Sequence, residues 1–212
     1  MTFNVVDPLH RFWSHSIDFR IWPEALLQRI VEAPALPPDM DAGYTVLLDK
    51  DHLTQELRPA TYQAYIPSRP SEDAYQTHIR DFFSDVPYVA KYLWRDELLP
   101  AKWCLDYDMK HEYLRPMLEW RMECDHDWSV PVRNLGKGLM KLLPPDISEQ
   151  LASSYAGGGI AENWEALFRT IALFRRVASE VGQTLGYTYP HELDQGVAAY
   201  IRAMKDMEHP SA

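Results

Sequence analysis

The sequence places one carboxylate, Asp18, inside a short apolar run with the residue pattern of a β-strand, Ile17 to Trp22. An acid among apolar strand residues is costly to bury unless something nearby uses its charge. Mg²⁺ prefers hard oxygen ligands and is commonly held by one or two carboxylates together with substrate phosphates. Asp18 is therefore a candidate Mg²⁺ ligand, and a strand-edge Asp that faces water is the alternative.

A second set of ionisable residues falls mainly within the predicted helical segment 71–99. Lys91 and Arg95 are four residues apart and share one helix face, so together they could hold phosphate oxygens. Asp81 lies ten residues before Lys91 and could approach the same cleft as a general base. Further along the chain, Lys137 could also reach a phosphate. The alternative for all four residues is a solvated surface.

The run EWRMECDHDW, residues 119–128, interleaves four acids with two tryptophans. Acids beside indole rings suit a ligand with several positive charges, because ion pairing and cation–π contacts can act together. The alternative is a helix end with exposed acids and two tryptophans in the core. The candidate ligand-binding residues are Glu119, Trp120, Glu123, Asp125, Asp127 and Trp128.

Composition limits the kind of partner and the compartment. The 212 residues carry a formal net charge of −10, which argues against nucleic-acid binding, because phosphate contacts need clustered Lys and Arg. The two cysteines, Cys104 and Cys124, have no zinc-site spacing and indicate a reducing compartment. No apolar run approaches the ~20 residues that cross a bilayer, and no signal peptide is recognisable. We therefore predict a cytoplasmic protein that binds small molecules, without a membrane or nucleic-acid partner.

The local patterns change character near residue 70. Before this point, strand-like runs alternate with a short helix at 23–33 and Pro-rich loops, and after it helical spacing prevails. We predict an α+β chain, in which a small α/β part is followed by a C-terminal helical bundle. The predicted strands are 3–6, 11–13, 17–21 and 44–49, and the predicted helices after residue 70 are 71–99, 101–123, 133–143, 144–155, 162–186 and 190–207.

Several long runs resemble one family, the aminoglycoside 6-adenylyltransferases, which modify streptomycin. The runs SIDFRI and VLLDKDHL are similar to two segments of that family. The runs YVAKYLWRDELLPAK and LRPMLEW, and the stretch from Leu151 to Pro190, resemble further segments in the same order. The resemblance covers the chain from about residue 15, and several ordered runs are a more specific signal than any single motif.

The resemblance implies a partial nucleotidyltransferase mixed sheet at residues 1–66 and a substrate-binding helical domain at residues 71–212. In the family, three carboxylates on the sheet hold Mg²⁺ and the nucleotide, and Asp18 matches the third. The other two come as Asp-x-Asp after a Gly-Ser turn, and the residues before Asp18 contain neither feature. We therefore expect a chain that lacks the N-terminal part of this domain and associates through an exposed sheet edge, for example as a homodimer.

The activity that the resemblance implies is transfer of AMP from ATP to a hydroxyl of streptomycin, with Mg²⁺ as cofactor, an antibiotic-resistance reaction. The acids and tryptophans of 119–128 would bind the cationic drug. Two alternatives stay open: a catalytically inactive, truncated homologue that binds aminoglycoside or nucleotide, and an interaction module. The other implied site residues are Asp18 for Mg²⁺ and catalysis, Asp81 as the base, and Lys91, Arg95 and Lys137 for phosphates.

Overall fold

Two units make up the computed structural model, which describes residues 2–5, 17–132 and 134–207; the side chains of residues 2–5, 17–19 and 134 are not described. The units are Met1–Tyr65 and Ile66–Ala212. Within the described residues, no helix is both long enough and apolar enough to cross a membrane.

The N-terminal unit contains, among its described residues, one two-stranded antiparallel sheet and two short helices. These elements are β1 (Thr2–Val5), β2 (Ile17–Arg20), α1 (Glu24–Glu32) and α2 (Pro38–Asp41). Strand β1 pairs with β2 so that Asn4 lies opposite Asp18. Helix α1 confirms the helix predicted at 23–33.

The predicted α+β fold with a mixed sheet is wrong. The described residues are mainly helical, and the sheet among them consists of two strands, β1 and β2. Residues 44–49, predicted as a strand, run as a loop. The Asp49 carboxylate accepts hydrogen bonds from the N–H and the hydroxyl of Thr54, and such local bonding competes with a strand ladder. Leu47 is 92% exposed, so no layer of described residues covers this run. The strand predicted at 11–13 lies outside the described residues.

A buried carboxylate, Asp41, holds the Pro-rich segment that follows it in place. It accepts hydrogen bonds from the N–H of Thr61 at 2.7 Å, from the Thr61 hydroxyl at 2.8 Å and from the N–H of Ala64 at 3.0 Å. These bonds, those from Thr61 above all, lower the pKa of Asp41 below its usual value. The segment 57–70, whose three prolines predict a linker, is therefore anchored to α2 near its middle.

The C-terminal unit is built from helices. Its elements are α3 (Glu72–Trp94), α4 (Leu98–Lys102), a π-helix (Trp103–Leu114), α5 (Arg115–Cys124), α6 (Pro145–Ser153), α7 (Ile160–Leu185) and α8 (His191–Lys205), with two 3₁₀ turns at Asn134–Gly136 and Leu139–Lys141. The helices predicted at 144–155, 162–186 and 190–207 are thus present, and the one predicted at 71–99 is present as α3 but ends at Trp94. The one predicted at 133–143 is broken into the two turns, because Gly136 and Gly138 take positive φ values.

Helix α3 shows how the sequence builds the core of this unit. Its N-cap residue, Ser71, accepts a hydrogen bond from the N–H of Ala74, and two acids in the first turn suit the positive end of the helix dipole. Its apolar face packs against α7 and α8. At the centre of the core, the rings of Phe82 and Phe174 stack with their centroids 3.6 Å apart, and Phe83 meets Phe82 edge-on.

Two glycines of α7 have different roles. Helix α7 ends at Gly186, as the sequence predicts, with the left-handed φ of 78° that favours glycine. Gly182 is needed for space, because a Cβ atom there would lie 2.6 Å from the Tyr75 hydroxyl and 3.0 Å from the Tyr187 carbonyl oxygen. Tyr75 is fully buried and donates a hydrogen bond to the Ala178 carbonyl, so it cannot move aside freely.

The Gly182→Ala substitution should lower the free energy of unfolding by about 1–3 kcal/mol, the usual cost of overpacking a core. Urea unfolding followed by far-UV circular dichroism measures this change. The matched control is Gly196→Ala on α8, where an added Cβ meets no atom within 4 Å. The control should be as stable as the wild type or gain up to about 1 kcal/mol, because Ala is the better helix former. Equal stability of the two variants would contradict the close packing of Gly182 against Tyr75.

The segment between α4 and α5 is a π-helix of twelve residues. The helix predicted at 101–123 therefore exists, but its residues 103–114 form a π-helix instead of an α-helix. A π-helix bonds residue i to residue i+5, and such segments are rare, mostly one turn long and frequent at functional sites. This one packs against α3. The residues that it buries are Cys104, Leu105, Met109, Lys110 and Leu114.

Candidate functional site

A group of acids lies where α3 packs against the π-helix. Asp85 of α3, together with Cys104 and Asp108 of the π-helix, offers three ligand atoms that all lie within 4.8 Å of one another. Asp81 lies one helical turn before Asp85, close enough for its negative charge to raise the pKa of Asp85. The thiol is buried, the carboxylates of Asp85 and Asp108 are half-buried, and that of Asp81 is exposed. We refer to Asp81, Asp85 and Asp108 as the acidic cluster.

Residue spacing in the two helices brings these side chains together. Asp81 and Asp85 are four residues apart and so lie on one face of α3. Cys104 and Asp108 are also four residues apart, on the side of the π-helix that meets Asp85. The apolar residues beside them on the two helices are fully buried: Phe82, Val86, Leu105 and Met109. The acidic cluster therefore sits next to a well-packed apolar contact that holds its positions.

Three groups at the site, Asp85, Cys104 and Tyr113, have raised pKa values. Burial raises the pKa of Asp85 above its usual value, and the negative charges of Asp108 and Asp81 raise it further. Burial, with repulsion from Asp85 and Asp108, raises the pKa of the Cys104 thiol to about 12. The Tyr113 hydroxyl also has a raised pKa, from burial first and then from the three carboxylates. Burial is the larger cause of each shift, and the carboxylate charges add a second contribution, which a bound cation would oppose.

No salt bridge neutralises the acidic cluster within the part of the chain that the structure describes. The cation that acts on the Cys104 thiol is Lys91. Its ammonium group lies over the rings of Tyr88 and Tyr92, 4.7 and 4.5 Å from their centroids. The carboxylates of the acidic cluster are therefore not held in a described salt bridge, and Lys91 and His78 are the cationic or titratable groups that interact with the site.

The three cations that the sequence assigns to phosphate lie on two elements of the helical unit. Lys91 is half-buried on α3, and Arg95 is exposed at the end of that helix. Lys137 is exposed in the loop after α5 and lines a cavity of about 440 Å³ together with Lys141. The structure thus groups Asp81 with other acids and Lys137 with a second lysine, and phosphate binding stays a prediction.

Asp18, the candidate Mg²⁺ ligand, lies on β2 opposite Asn4 of β1. The strand itself is confirmed, since the sequence predicts one at 17–21 and the structure has one at Ile17–Arg20. The Asp18 side chain is not among those that the structure describes. Its role in metal binding and catalysis therefore stays a prediction.

Two acids of the run 119–128 are buried and already have partners within the protein. Glu119 accepts a hydrogen bond from Arg115 at 2.6 Å, and burial raises its pKa although Arg115 acts to lower it. Glu123 is fully buried and accepts a hydrogen bond from the N–H of Val130 at 3.1 Å, and burial raises its pKa as well. Both carboxylates therefore serve the folded structure in the unliganded chain.

The other members of this run are more accessible. Asp125 is exposed and pairs with an arginine one turn earlier, with 2.6 Å between the charged atoms. Asp127 is exposed, and Trp128 is half-buried. Trp120 is also half-buried, and its ring lies 4.9 Å from that of His78, centroid to centroid. Drug binding by this run stays a prediction, and three of its four acids would have to exchange an internal partner for the drug.

Sequence reasoning missed Asp85, Cys104 and Asp108. The signal that could have found them is the four-residue spacing of Asp81 and Asp85, and of Cys104 and Asp108, within two predicted helices. This spacing says that each pair shares a helix face. It does not say that the two faces meet, because that depends on how the helices pack.

Comparison with known protein families decides where the chain belongs. The profile of the family described as streptomycin adenylyltransferase matches residues 14–204. The chain belongs to this family. The matched part includes all of the acidic cluster, the π-helix and the loop that carries Lys137, so each of these features lies within the streptomycin adenylyltransferase match.

Curated aminoglycoside 6-adenylyltransferases are similar to most of this chain. The Bacillus subtilis (strain 168) protein is 31% identical over 169 residues, 77% of this chain and 57% of that protein. The Campylobacter jejuni protein is 28% identical over 160 residues, 76% of this chain and 55% of that protein. A crystal structure of an aminoglycoside 6-adenyltransferase from Bacillus subtilis is 28% identical, with a TM-score of 0.57 over 66% of this chain and 52% of that chain. The chain therefore spans just over half the length of these relatives.

Proposed function

We propose that the chain binds a cationic aminoglycoside, such as streptomycin, on its acidic cluster and transfers AMP from ATP to a hydroxyl of the drug. The observation that carries this proposal is the meeting of Asp81, Asp85 and Asp108 without a salt-bridge partner among the described residues. Family membership supports nucleotidyl transfer as the class of reaction. The names of the curated relatives support an aminoglycoside as the acceptor.

Charge explains why the acidic cluster suits such a drug. Aminoglycosides carry several ammonium or guanidinium groups, which form charge-assisted hydrogen bonds with carboxylates. Around half-buried carboxylates these bonds are less weakened by water and salt than on an open surface. The formal net charge of −10 also attracts a polycation towards the chain. We accordingly assign substrate binding to the helical part, residues 71–212.

The proposed reaction is attack of a drug hydroxyl oxygen on the α-phosphorus of ATP. A bond forms between this oxygen and the phosphorus, the bond from the α-phosphorus to the bridging oxygen breaks, and pyrophosphate leaves. Asp81, the exposed member of the acidic cluster, accepts the hydroxyl proton as the general base. We assign the phosphates of ATP to Lys91, Arg95 and Lys137.

Family resemblance implies Mg²⁺, so the residues of this chain must offer ligands that suit this ion. We assign Mg²⁺ to Asp18, where the ion would supply positive charge to the phosphates. The group of potential metal ligands that the described residues contain combines the Cys104 thiol with two carboxylates. Mg²⁺ does not suit this group, because it prefers oxygen ligands only. The acidic cluster therefore contributes carboxylates, and not bound Mg²⁺, to the proposed reaction.

Isothermal titration calorimetry of the full chain with streptomycin tests drug binding. The Asp85→Asn/Asp108→Asn double variant should bind at least about tenfold more weakly than the wild type, because a hydrogen bond to a charged group contributes about 1.5–3 kcal/mol. Since the pKa of Asp85 is raised, a neutral amide suits the folded state and the variant should fold. The control is Asp73→Asn in the first turn of α3, which should bind as the wild type does.

Each result of this experiment bears on the proposal. Unchanged affinity in the double variant would remove the acidic cluster as the drug site. Loss of affinity in Asp125→Asn, with none in the double variant, would favour the run 119–128 instead. Transfer is tested separately by mass spectrometry of streptomycin after incubation with the chain, ATP and Mg²⁺. A drug that gains one adenylyl group supports transfer, and an unchanged drug contradicts it.

Drug binding without transfer is the second candidate. It is favoured by the position of all three acids within one unit, the helical one. Binding in calorimetry together with no adenylated drug, in a sample shown to be folded, would support it. A folded chain that binds neither streptomycin nor ATP would support the remaining alternative, an interaction module. Sedimentation equilibrium would detect the homodimer that such a module would form.

A further inference from the structure

We propose that Asp85, Cys104 and Asp108 form a binding site for a divalent metal ion that accepts thiolate ligands, such as Zn²⁺. The site is built by α3 and the π-helix, within the helical unit. It differs in its ligand chemistry from the Mg²⁺ site assigned to Asp18. It shares Asp85 and Asp108 with the proposed drug site, so the ion and the drug would compete for these carboxylates, and it is tested on the chain without drug.

The distances between the ligand atoms suit a single ion. Zinc lies about 2.3 Å from a cysteine sulfur and about 2.0–2.2 Å from a carboxylate oxygen. At the tetrahedral angle, two ligands of one ion are therefore about 3.4–3.6 Å apart. The Cys104 sulfur and the carboxylate oxygens of Asp85 and Asp108 all lie within 4.8 Å of one another. Small rotations of the two half-buried aspartates, neither of which is held in a described salt bridge, close the remaining gap.

The thiol distinguishes this site from an ordinary group of surface acids. Cys104 is only 7% exposed, and its sulfur faces two carboxylates from different helices. The thiol donates a hydrogen bond of 3.8 Å to the main-chain oxygen of Asp85 and is also within hydrogen-bonding reach of the Asp108 carboxylate. An ammonium group would be satisfied by the carboxylates alone, whereas a soft thiolate selects ions such as Zn²⁺. The buried sulfur is thus a donor of a second kind, directed at the same point as the acids.

The charges and the number of ligands also fit a zinc-type ion. On binding, the Cys104 thiol releases its proton to solvent, so one thiolate and two carboxylates face two positive charges. Three protein ligands leave the fourth position of a tetrahedral ion open, as in catalytic rather than structural zinc sites. Asp81, one turn along α3, adds negative charge beside the site.

The second cysteine provides a matched control. Cys124 is half-buried at the end of α5, where its thiol lies near Thr184. Within residues 17–132 and 134–207, it belongs to no group of three metal-ligating side chains. A metal signal that depends on Cys104 but not on Cys124 would therefore identify the site.

Titration of the full chain with Co²⁺, in the presence of a phosphine reductant and without oxygen, tests the proposal. The wild type and Cys124→Ser should show a thiolate-to-cobalt charge-transfer band in the near ultraviolet, saturating at one ion per chain. Cys104→Ser should lose the band, and Asp108→Asn should bind Co²⁺ at least about tenfold more weakly. Cys104→Ala repeats the removal of the thiol without burying a hydroxyl, and circular dichroism checks that each variant is folded.

Other results would overturn the proposal: a band that persists without Cys104, a band that is lost with Cys124, or no band in the folded wild type. As a second measurement, Zn²⁺ should raise the unfolding temperature of the wild type but not that of Cys104→Ala. Streptomycin calorimetry on the same wild-type sample separates this inference from the proposed function. Heat of drug binding without a cobalt band would overturn the metal site alone.

Discussion

Replacement of Asp81 by Asn should slow AMP transfer to streptomycin by about 100-fold or more, the usual contribution of a positioned general base. Asp81 is exposed, so it can reach a drug hydroxyl while the half-buried Asp85 and Asp108 hold the drug's cations. An amide of the same shape keeps the packing of the side chain but cannot accept the proton. The loss should therefore fall on kcat more than on KM.

The control for this prediction is Asp73→Asn, an exposed acid in the first turn of the same helix. It should transfer AMP at the wild-type rate in single-turnover measurements. A wild-type rate in Asp81→Asn would remove its role as base, and equal losses in both variants would indicate a general effect on α3.

The Phe174→Ala substitution should lower the free energy of unfolding by about 3–5 kcal/mol, as expected for removal of a buried aromatic ring. Phe174 is fully buried on α7, stacked on Phe82 with 3.6 Å between ring centroids, and it meets Phe83 edge-on at 6.1 Å. The rigid rings that remain on α3 cannot collapse fully into the space left behind. Because a domain is typically stable by only about 5–15 kcal/mol, the helical unit would come close to unfolding.

Urea unfolding, followed by tryptophan fluorescence and circular dichroism, measures this loss. The control is Phe168→Ala on the same helix, where the ring is half-buried and stacks on Trp164 at a centroid distance of 6.2 Å. Less apolar surface is buried there, so the loss should be less than half of that at Phe174. Equal losses at the two positions would contradict a core centred on the ring stack between α3 and α7.

The helices of the C-terminal unit could be predicted because each carries its own local signals. Ser71 caps α3, and Gly186 ends α7. The mixed sheet could not be predicted correctly, because β-branched and aromatic residues are extended only where a neighbouring strand receives them. Residues 44–49 have the composition of a strand, yet in the described structure they run as a loop whose last residue, Asp49, bonds to Thr54. The surroundings of this segment, and not its β-propensity, determine its conformation.

The candidate site shows the same limit. The sequence singles out Asp81, but its partner across the helix contact, Asp108, depends on packing between elements that are far apart in the chain. The π-helix is also hidden, since the sequence predicts one continuous helix over 101–123 and its residue types do not mark where the winding changes.

The acids of residues 119–128 stand out in the sequence, and so do the residues that pair with two of them inside the protein. Arg115 and Arg121 each stand four residues before an acid of this run, the spacing of a helical ion pair. Both pairs form in the structure, with Glu119 and Asp125. Counting the cations one turn away from a row of acids would have predicted that much of its charge is already balanced.

A helix that bonds residue i to residue i+5 holds one more residue in each hydrogen-bonded turn than an α-helix. The segment Trp103–Leu114 can therefore lose one residue, return to α-helical bonding and remain a helix. Such a deletion would leave the flanking helices α4 and α5 in phase and would shift only the side chains within the affected turn. A neighbour would then replace Cys104 or Asp108 at the contact with α3. A change of one residue in the length of this segment would thus alter the set of ligand atoms that faces Asp85, without any substitution on α3.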